Sequence, residues 1–208
     1  MGGKEESDMK SSLRVMGMVI LTTLLAVSLT ARGGDRGDTG SGGGNTIKEK
    51  KTATAKRPLP PRWKIYRNDE YGFQFYYPED WKKFPSEYYP PGVVVAFDVL
   101  YGPNISVLIE SASGMSIEEY VDKAKGNILP SMGVDILGEK YLMVNERRAY
   151  KWIVRQEMRG VRFKIELITF VVNDKRYIVT LTVPEDAYGQ HVGTFNKIIG
   201  SFIIIYSD

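Results

Sequence analysis

The side chains suited to acid–base, nucleophilic or metal chemistry are few and widely spaced in this chain. His191 is the only histidine, and there is no cysteine among the 208 residues. Without a thiol there is no disulfide, no thiolate nucleophile and no Cys-based metal site. His191 has Glu185 and Asp186 about one turn away. One histidine with one carboxylate is a frequent surface coincidence, whereas a hard-metal site needs several oxygen ligands. Glu118 and Glu119 suit the start of a helix better than paired acid–base work. Glu157 and Glu166 fall on adjacent predicted strands, where Arg155, Arg162 and Lys164 can pair with them across the ladder as a solvated face. The glycines between Gly33 and Gly44 lack the preceding strand and following helix that a phosphate-cradling loop requires. The reading is therefore no catalytic residue, no cofactor-binding residue, no bound metal and no enzyme.

Aromatic residues are the more informative group. Trp81, Phe84, Tyr88 and Tyr89 share a segment with Pro78, Pro85, Pro90 and Pro91. That segment is too proline-rich for regular structure, and it can present rigid aromatic anchors, of the kind that dominate binding energy at interfaces. Trp81 is expected to plug the sheet edge. Tyr88 and Tyr89 are left open, either as partner contacts or as packing onto their own domain.

The elements that position these residues can be read from periodicity. Tyr71, Phe73, Phe75 and Tyr77 alternate on one face of a strand that Pro78 ends. Val93 to Leu100 and Asn104 to Ser111 are β-branched runs joined by turn residues 101–104, which predicts a hairpin. Ser116 with Glu119 reads as a capping box opening a helix to about Asn127, which Pro130 stops. Strands follow at Ile136 to Val144, Arg148 to Met158, Arg162 to Val172 and Arg176 to Val183. In the third, Phe163, Ile165, Leu167 and Val171 occupy one parity and Ile168, Phe170 and Val172 the other. A strand apolar on both faces is usually covered on both, which predicts helices on each side of the sheet. Pro184, Glu185 and Asp186 suit the start of a last helix, with Val192, Phe195, Ile198 and Ile199 as its buried stripe. Ser201 to Tyr206 is expected to be a short extended tail.

These residues carry a resemblance. Tyr71-Gly72-Phe73, Phe75, Tyr77-Pro78 and Trp81, with the closing Phe195 and Ile198-Ile199-Gly200-Ser201-Phe202, resemble the PsbP-like family over about Tyr66 to Phe202. The resemblance implies an α+β fold, an α-β-α sandwich around a mainly antiparallel sheet. It also implies docking and not catalysis: the family holds a photosynthetic extrinsic subunit and many tethered prokaryotic lipoproteins. Nothing in the chain indicates a photosynthetic host.

Upstream, Val15 to Ala31 is a 17-residue uncharged run preceded by Lys10 and Arg14. It has the layout of an export signal and is short for a spanning helix, which needs about 20 apolar residues. Glu5, Glu6 and Asp8 are unusual before such a run, which leaves Met1 and Met9 both open as starts. Leu29-Thr30-Ala31 followed by Gly33-Gly34 has the form of a lipoprotein box in which Arg32 stands where the lipidated cysteine would be. Cleavage, a retained anchor, and loss of a lipidated cysteine all remain open. Residues 32–62 read as a linker, first Gly-rich and then basic. From Lys48 to Arg67 eight basic side chains face only Glu49. With a formal net charge of +3 for the whole chain, the rest of the folded part is mildly acidic.

The expected organisation is thus a signal or anchor at 1–31, a linker at 32–62 and one domain at 63–208. The expected function is a non-catalytic docking module at the extracytoplasmic face of a membrane, or secreted after cleavage, with a protein partner in or at that membrane. Anionic lipid is a second expected contact, through the basic linker. Nucleic acid is not expected, since the basic cluster has no interleaved aromatics. The alternative is an envelope protein that binds a small ligand or a metal in a cleft between sheet and helix.

Overall fold

Among the described residues, alternating apolar residues and tight turns build ten strands and two principal helices. The computed structural model describes residues 62–98, 103–158 and 160–205. The apolar run at 15–31, the box at Leu29 to Arg32, the linker at 32–61 and the first half of the turn at 101–104 lie outside the described residues.

Two antiparallel sheets form. The first contains β1 (Trp63–Asn68), β2 (Phe73–Pro78) and the two-residue β10 (Ile203–Ile204), in the order β1-β2-β10. The second has seven strands: β3 (Lys82–Lys83), β4 (Val93–Asp98), β5 (Asn104–Ser111), β6 (Asp135–Val144), β7 (Arg147–Met158), β8 (Val161–Val172) and β9 (Lys175–Pro184). Their spatial order is β3-β4-β5-β9-β8-β7-β6, which leaves β6 as the outer strand at one end. The expected β4–β5 hairpin pairs with Asp98 opposite Asn104.

β8 divides its apolar residues as its two parities require. Ile165 and Leu167 join a core with Ile117, Tyr120, Val121 and Trp152, beneath helix α1 (Ile117–Lys123). Ile168, Phe170 and Val172 join the opposite core with Phe73, Phe75, Phe195 and Phe202. That second face is covered by α2 (Tyr188–Ser201) together with the three-stranded sheet, so a helix lies on each side but one layer is shared with strands. The shared layer was not expected. β1 extends the fold upstream of Tyr71, so Lys64 and Arg67, counted with the basic stretch, belong to a strand. Each lies opposite a β2 residue, Lys64 across from Tyr77 and Arg67 across from Gln74.

The tail also pairs, Ile203 with Gln74 and Ile204 with Phe73. Gly72 makes this possible, because its φ of +67° suits glycine and a Cβ there would lie 2.6 Å from the Ile205 carbonyl oxygen. Phe202, between α2 and β10, stacks on Phe73, Phe75 and Phe170 at centroid distances of 5.4, 5.9 and 5.5 Å. Ser201 is equally committed. Its hydroxyl accepts from the Tyr76 amide at 2.8 Å and donates to the Ile198 carbonyl at 2.7 Å.

The capping box at Ser116 forms as expected, with Glu119 accepting from the Ser116 amide at 2.7 Å. Pro130 does not end the helix there. The chain widens into a π-helical turn at Ala124–Ile128, with the Leu129 amide bonded to the Ala124 carbonyl, and continues helically through Leu129–Ser131. A proline lacks the amide that an α-turn needs and its ring crowds the preceding turn; the wider winding relieves both. Pro184 likewise does not open a helix directly. It closes β9 and precedes a 3-10 turn, Glu185–Ala187, from which α2 continues.

Candidate functional site

The proline-rich segment between β2 and β4 is held by its own backbone and by one hydroxyl. The Trp81 amide donates to the Pro78 carbonyl at 3.1 Å, and the indole is buried in the main core. The Phe84 amide reaches the Ala96 carbonyl at 2.9 Å, and Val93 donates back to Pro90 at 3.1 Å. Tyr89 acts inside this frame. Its hydroxyl donates to the Phe84 carbonyl at 2.8 Å and accepts from the Ala96 amide at 3.1 Å. Burial pushes the Tyr89 phenol up from its ordinary value. Tyr88 ends a 3-10 turn, Ser86–Tyr88, tilts against Phe84 at 5.8 Å and remains 49% exposed. Of the three aromatics singled out from sequence, the fold places Trp81 in the core, Tyr89 as a strut and Tyr88 at the surface.

The ionisable candidates are drawn into the fold's own pairs. Glu166 was expected on a solvated face and is instead fully buried. It lies on the face of β8 that α2 covers, where Lys151 Nζ on β7 sits 2.5 Å from its Oε2 and the Tyr188 hydroxyl donates to its Oε1. Burial, and then that bond to the carboxylate, push the Tyr188 phenol well above its usual range. The Lys164 ammonium lies over the Tyr188 ring at 4.2 Å. Arg155 donates from Nε and Nη2 to Glu185 Oε1 at 2.9 and 2.6 Å, and Arg162 approaches the other oxygen at 3.7 Å. The Arg155 hydrogen bonds hold the Glu185 carboxyl below its ordinary value. Glu118 pairs with Arg148 at 2.7 Å, and Glu157 lies across the ladder from Arg162.

His191 lies half-buried on α2. Glu185, one of the two carboxylates that the sequence sets about one turn away, is paired with Arg155. Among the described residues no three His, Cys, Asp or Glu side chains gather into a metal-binding group.

On the α1 side, Arg176 is nearly wholly buried. It pairs with Glu110 Oε1 at 2.8 Å through Nε and at 2.5 Å through Nη2, and stacks on Tyr120 at 4.0 Å. Beside it, between α1 and the sheet, Tyr120, Leu129, Met132, Trp152, Leu167 and Thr169 line a cavity of about 10 Å³, room for roughly one water.

One feature of this surface was not anticipated from sequence. Ile136, Leu137, Tyr141 and Met143 are all exposed, and all lie on the outer strand β6. The run Ile136 to Val144 reads locally as a strand. Its place at the end of the sheet is set by long-range strand order, which no local pattern encodes.

The arrangement of strands, helices and aromatic turns can be set against known proteins. The PsbP family model matches residues 62–204. The chain belongs to the PsbP family. A solution structure of cyanobacterial PsbP from Synechocystis sp. PCC 6803 superposes with a TM-score of 0.56 at 20% identity, covering 80% of this chain and 98% of that one. A crystal structure from Bacteroides thetaiotaomicron superposes at 0.50 with 15% identity, covering 70% of this chain and half of that one. The Ran-binding protein Mog1p of Saccharomyces cerevisiae gives 0.49 at 8% identity, over 68% and 95% of the two chains. Among curated proteins no match is found. The motif residues that carried the resemblance have structural work in this PsbP-family fold: Gly72 admits β10, Trp81 fills the core, and Ser201 and Phe202 tie α2 to β2.

Proposed function

We propose that this PsbP-family chain is a non-catalytic docking module that assists or stabilises a membrane-associated assembly. In this reading the apolar run at 15–31 delivers the domain to the extracytoplasmic face of a membrane, and residues 32–62 act as its tether. The tether's basic side chains lie close to the headgroups, where each contributes about 1 kcal/mol of attraction to anionic lipid. The observation that carries the docking reading is Tyr88. Its loop is fixed on both sides by the Tyr89 hydroxyl and the Phe84–Ala96 bond, yet its own ring stays 49% exposed. An aromatic anchor already held in place loses little freedom on binding, which favours affinity.

Two further features support docking over small-ligand binding. Among the described residues the candidate carboxylates Glu118, Glu166 and Glu185 are each paired with a cation of the fold, and the space between α1 and the sheet has room for roughly one water. The test is crosslinking in the cell from the full chain, with captured proteins compared between the natural sequence and Tyr88→Ala. Selective loss of captured protein in the variant is the expected result, and an unchanged set overturns the assignment of Tyr88. Flotation of the full chain with anionic and zwitterionic vesicles checks the lipid contact, since equal flotation with both would remove it.

A further inference from the structure

β6 closes one end of the seven-stranded sheet, and among the described residues no strand pairs with its outer side. It is ten residues long and carries four of the exposed large apolar residues, Met143 being 64% exposed. A long outer strand with apolar side chains is a template for another strand. Natural sheets usually blunt such a strand with charge, proline or a bulge. Here the bulge lies at one end, between Ile136 and Gly138, so the stretch from Gly138 to Val144 is regular, and its charges are confined to the adjacent, opposite-signed Glu139 and Lys140.

The direction of its backbone groups follows from the turn. Asn145 and Glu146 have φ of 45° and 67°, a two-residue turn that makes Val144 and Arg147 a hydrogen-bonded pair. Bonded and non-bonded pairs then alternate along β6 and β7. Leu142 and Lys140 bond inward to β7, opposite Ala149 and Lys151. Glu139, Tyr141 and Met143 turn their amides and carbonyls outward. These three residues span about 14 Å of edge.

We infer that β6 is the interface through which two copies of this chain associate, by antiparallel β6–β6 pairing about a two-fold axis through Tyr141. The outward set of three residues is symmetric about Tyr141, so this register pairs all six of their backbone groups. Tyr141 then faces Tyr141 of the second copy, Glu139 faces Met143, and Lys140 faces Leu142. No like charges stand opposite one another. An axis at Glu139 sets two carboxylates together, and one at Lys140 sets two ammonium groups together. An axis at Leu142 leaves Glu139 opposite the turn.

Arg148, beside Met143 on the ladder, leans over the Tyr141 ring at 4.3 Å while pairing with Glu118 at 2.7 Å, and Glu139 pairs with Lys125 at 2.7 Å, so neither side chain depends on the second copy for a partner. Tyr141 is already braced edge-on against Tyr150 at 4.6 Å, so little side-chain freedom is lost when it meets its counterpart. Tyr88 follows β3, the strand at the other end of the sheet, so this interface leaves the docking loop clear.

Because the chain has no cysteine, single introduced thiols report the register directly. In a hydrogen-bonded antiparallel pair the facing Cα atoms are about 5.5 Å apart, within disulfide range. With the full chain under mild oxidation, Tyr141→Cys should give a covalent dimer. Glu139→Cys alone should not, because its two copies lie about 14 Å apart along the strands. The double variant Glu139→Cys/Met143→Cys should crosslink again. This pattern separates the pairing from any association through the N-terminal apolar run, which has no reason to prefer position 141. As a second measurement, Met143→Pro removes an outward amide that β7 does not use, and should shift sedimentation of the full chain toward the monomer with the far-ultraviolet spectrum unchanged. A Tyr141→Cys chain that crosslinks no faster than Glu139→Cys overturns the inference. So does a wild-type chain that stays monomeric across the concentration range, or an edge that crosslinks to other proteins in place of itself.

Discussion

The Tyr188 hydroxyl donates to Glu166 at the point where α2 begins, and so fastens the helix to a carboxylate buried in the middle of the sheet. Lys151 completes the arrangement from β7 at 2.5 Å. A buried charge is costly to strand, so the three residues act as one unit. Glu166→Leu leaves Lys151 uncompensated and should lower unfolding stability by about 3–5 kcal/mol. Tyr188→Phe removes one bond to a charged acceptor and should cost about 1.5–3 kcal/mol. Lys151→Met together with Glu166→Leu should recover much of the loss, since the pair is then replaced by apolar volume. Urea unfolding of the three variants checks this. A double variant less stable than Glu166→Leu would contradict it.

A second fastening joins the other end of α2 to the β6–β7 turn. The Asn145 side-chain amide donates to the Phe202 carbonyl at 2.7 Å and to the Gly200 carbonyl at 3.2 Å. Asn145→Ala should cost about 1–2 kcal/mol and speed amide exchange in the last turn of α2. Glu146, at φ of 67°, is a residue in a conformation that glycine adopts freely. Glu146→Gly should therefore raise stability by about 1 kcal/mol. Opposite signs from adjacent residues make a clear thermal-unfolding test, and two destabilised variants would refute the account.

What the sequence made legible, and what it did not, divides along physical lines. Period-two alternation in β8 identified both of its faces, because hydrophobic parity is a local property that burial enforces directly. The Ser116–Glu119 box was legible for the same reason: all of its bonds close within four residues. Glu166 was misplaced on a solvated face because a carboxylate is buried only when partners arrive from elsewhere. Here they come from Lys151, fifteen residues earlier, and Tyr188, on a different element. β1 was missed because Lys64 and Arg67 continue the basic run that precedes them, and charge masked a strand that packs Trp63 and Tyr66 against the core. Of the proposed site, the loop and its aromatics could be seen in advance. That Tyr89 turns inward while Tyr88 turns outward depends on a hydroxyl meeting Ala96 on β4, which is not a local pattern.

Ionisation should shape stability at both ends of the pH scale. Hydrogen bonds from Lys125 and Arg155 hold the carboxyls of Glu139 and Glu185 below their ordinary value of 4.5, and the Ser116 amide does the same for Glu119. Their contribution is complete above the unfolded value and is lost as pH falls through the lowered folded values. Glu139 in turn holds the Lys125 ammonium well above its ordinary 10.5, so that contribution is complete below 10.5 and fades only in strong alkali. Unfolding free energy should therefore decline from about pH 4.5 downward. The Glu139→Gln/Glu185→Gln variant should show a shallower acid decline in urea titrations, and an identical slope would exclude these two carboxylates as its source.

Neighbouring tyrosines in the candidate docking loop should separate stability from binding. The Tyr89 hydroxyl carries two hydrogen bonds in a half-buried position, so Tyr89→Phe strands the Ala96 amide and the Phe84 carbonyl. An unmet buried polar group costs about 1–3 kcal/mol, and the loop should also become more protease-sensitive. Tyr88 makes one tilted contact with Phe84 and is otherwise exposed, so Tyr88→Ala should change stability by less than about 0.5 kcal/mol. Thermal unfolding and limited proteolysis of the two variants, run beside the capture experiment, give the decisive combination. Loss of captured protein from Tyr88→Ala at unchanged stability assigns the ring to the interface. Loss only where stability also falls would mean that the loop's shape, and not the Tyr88 ring, is what a partner reads.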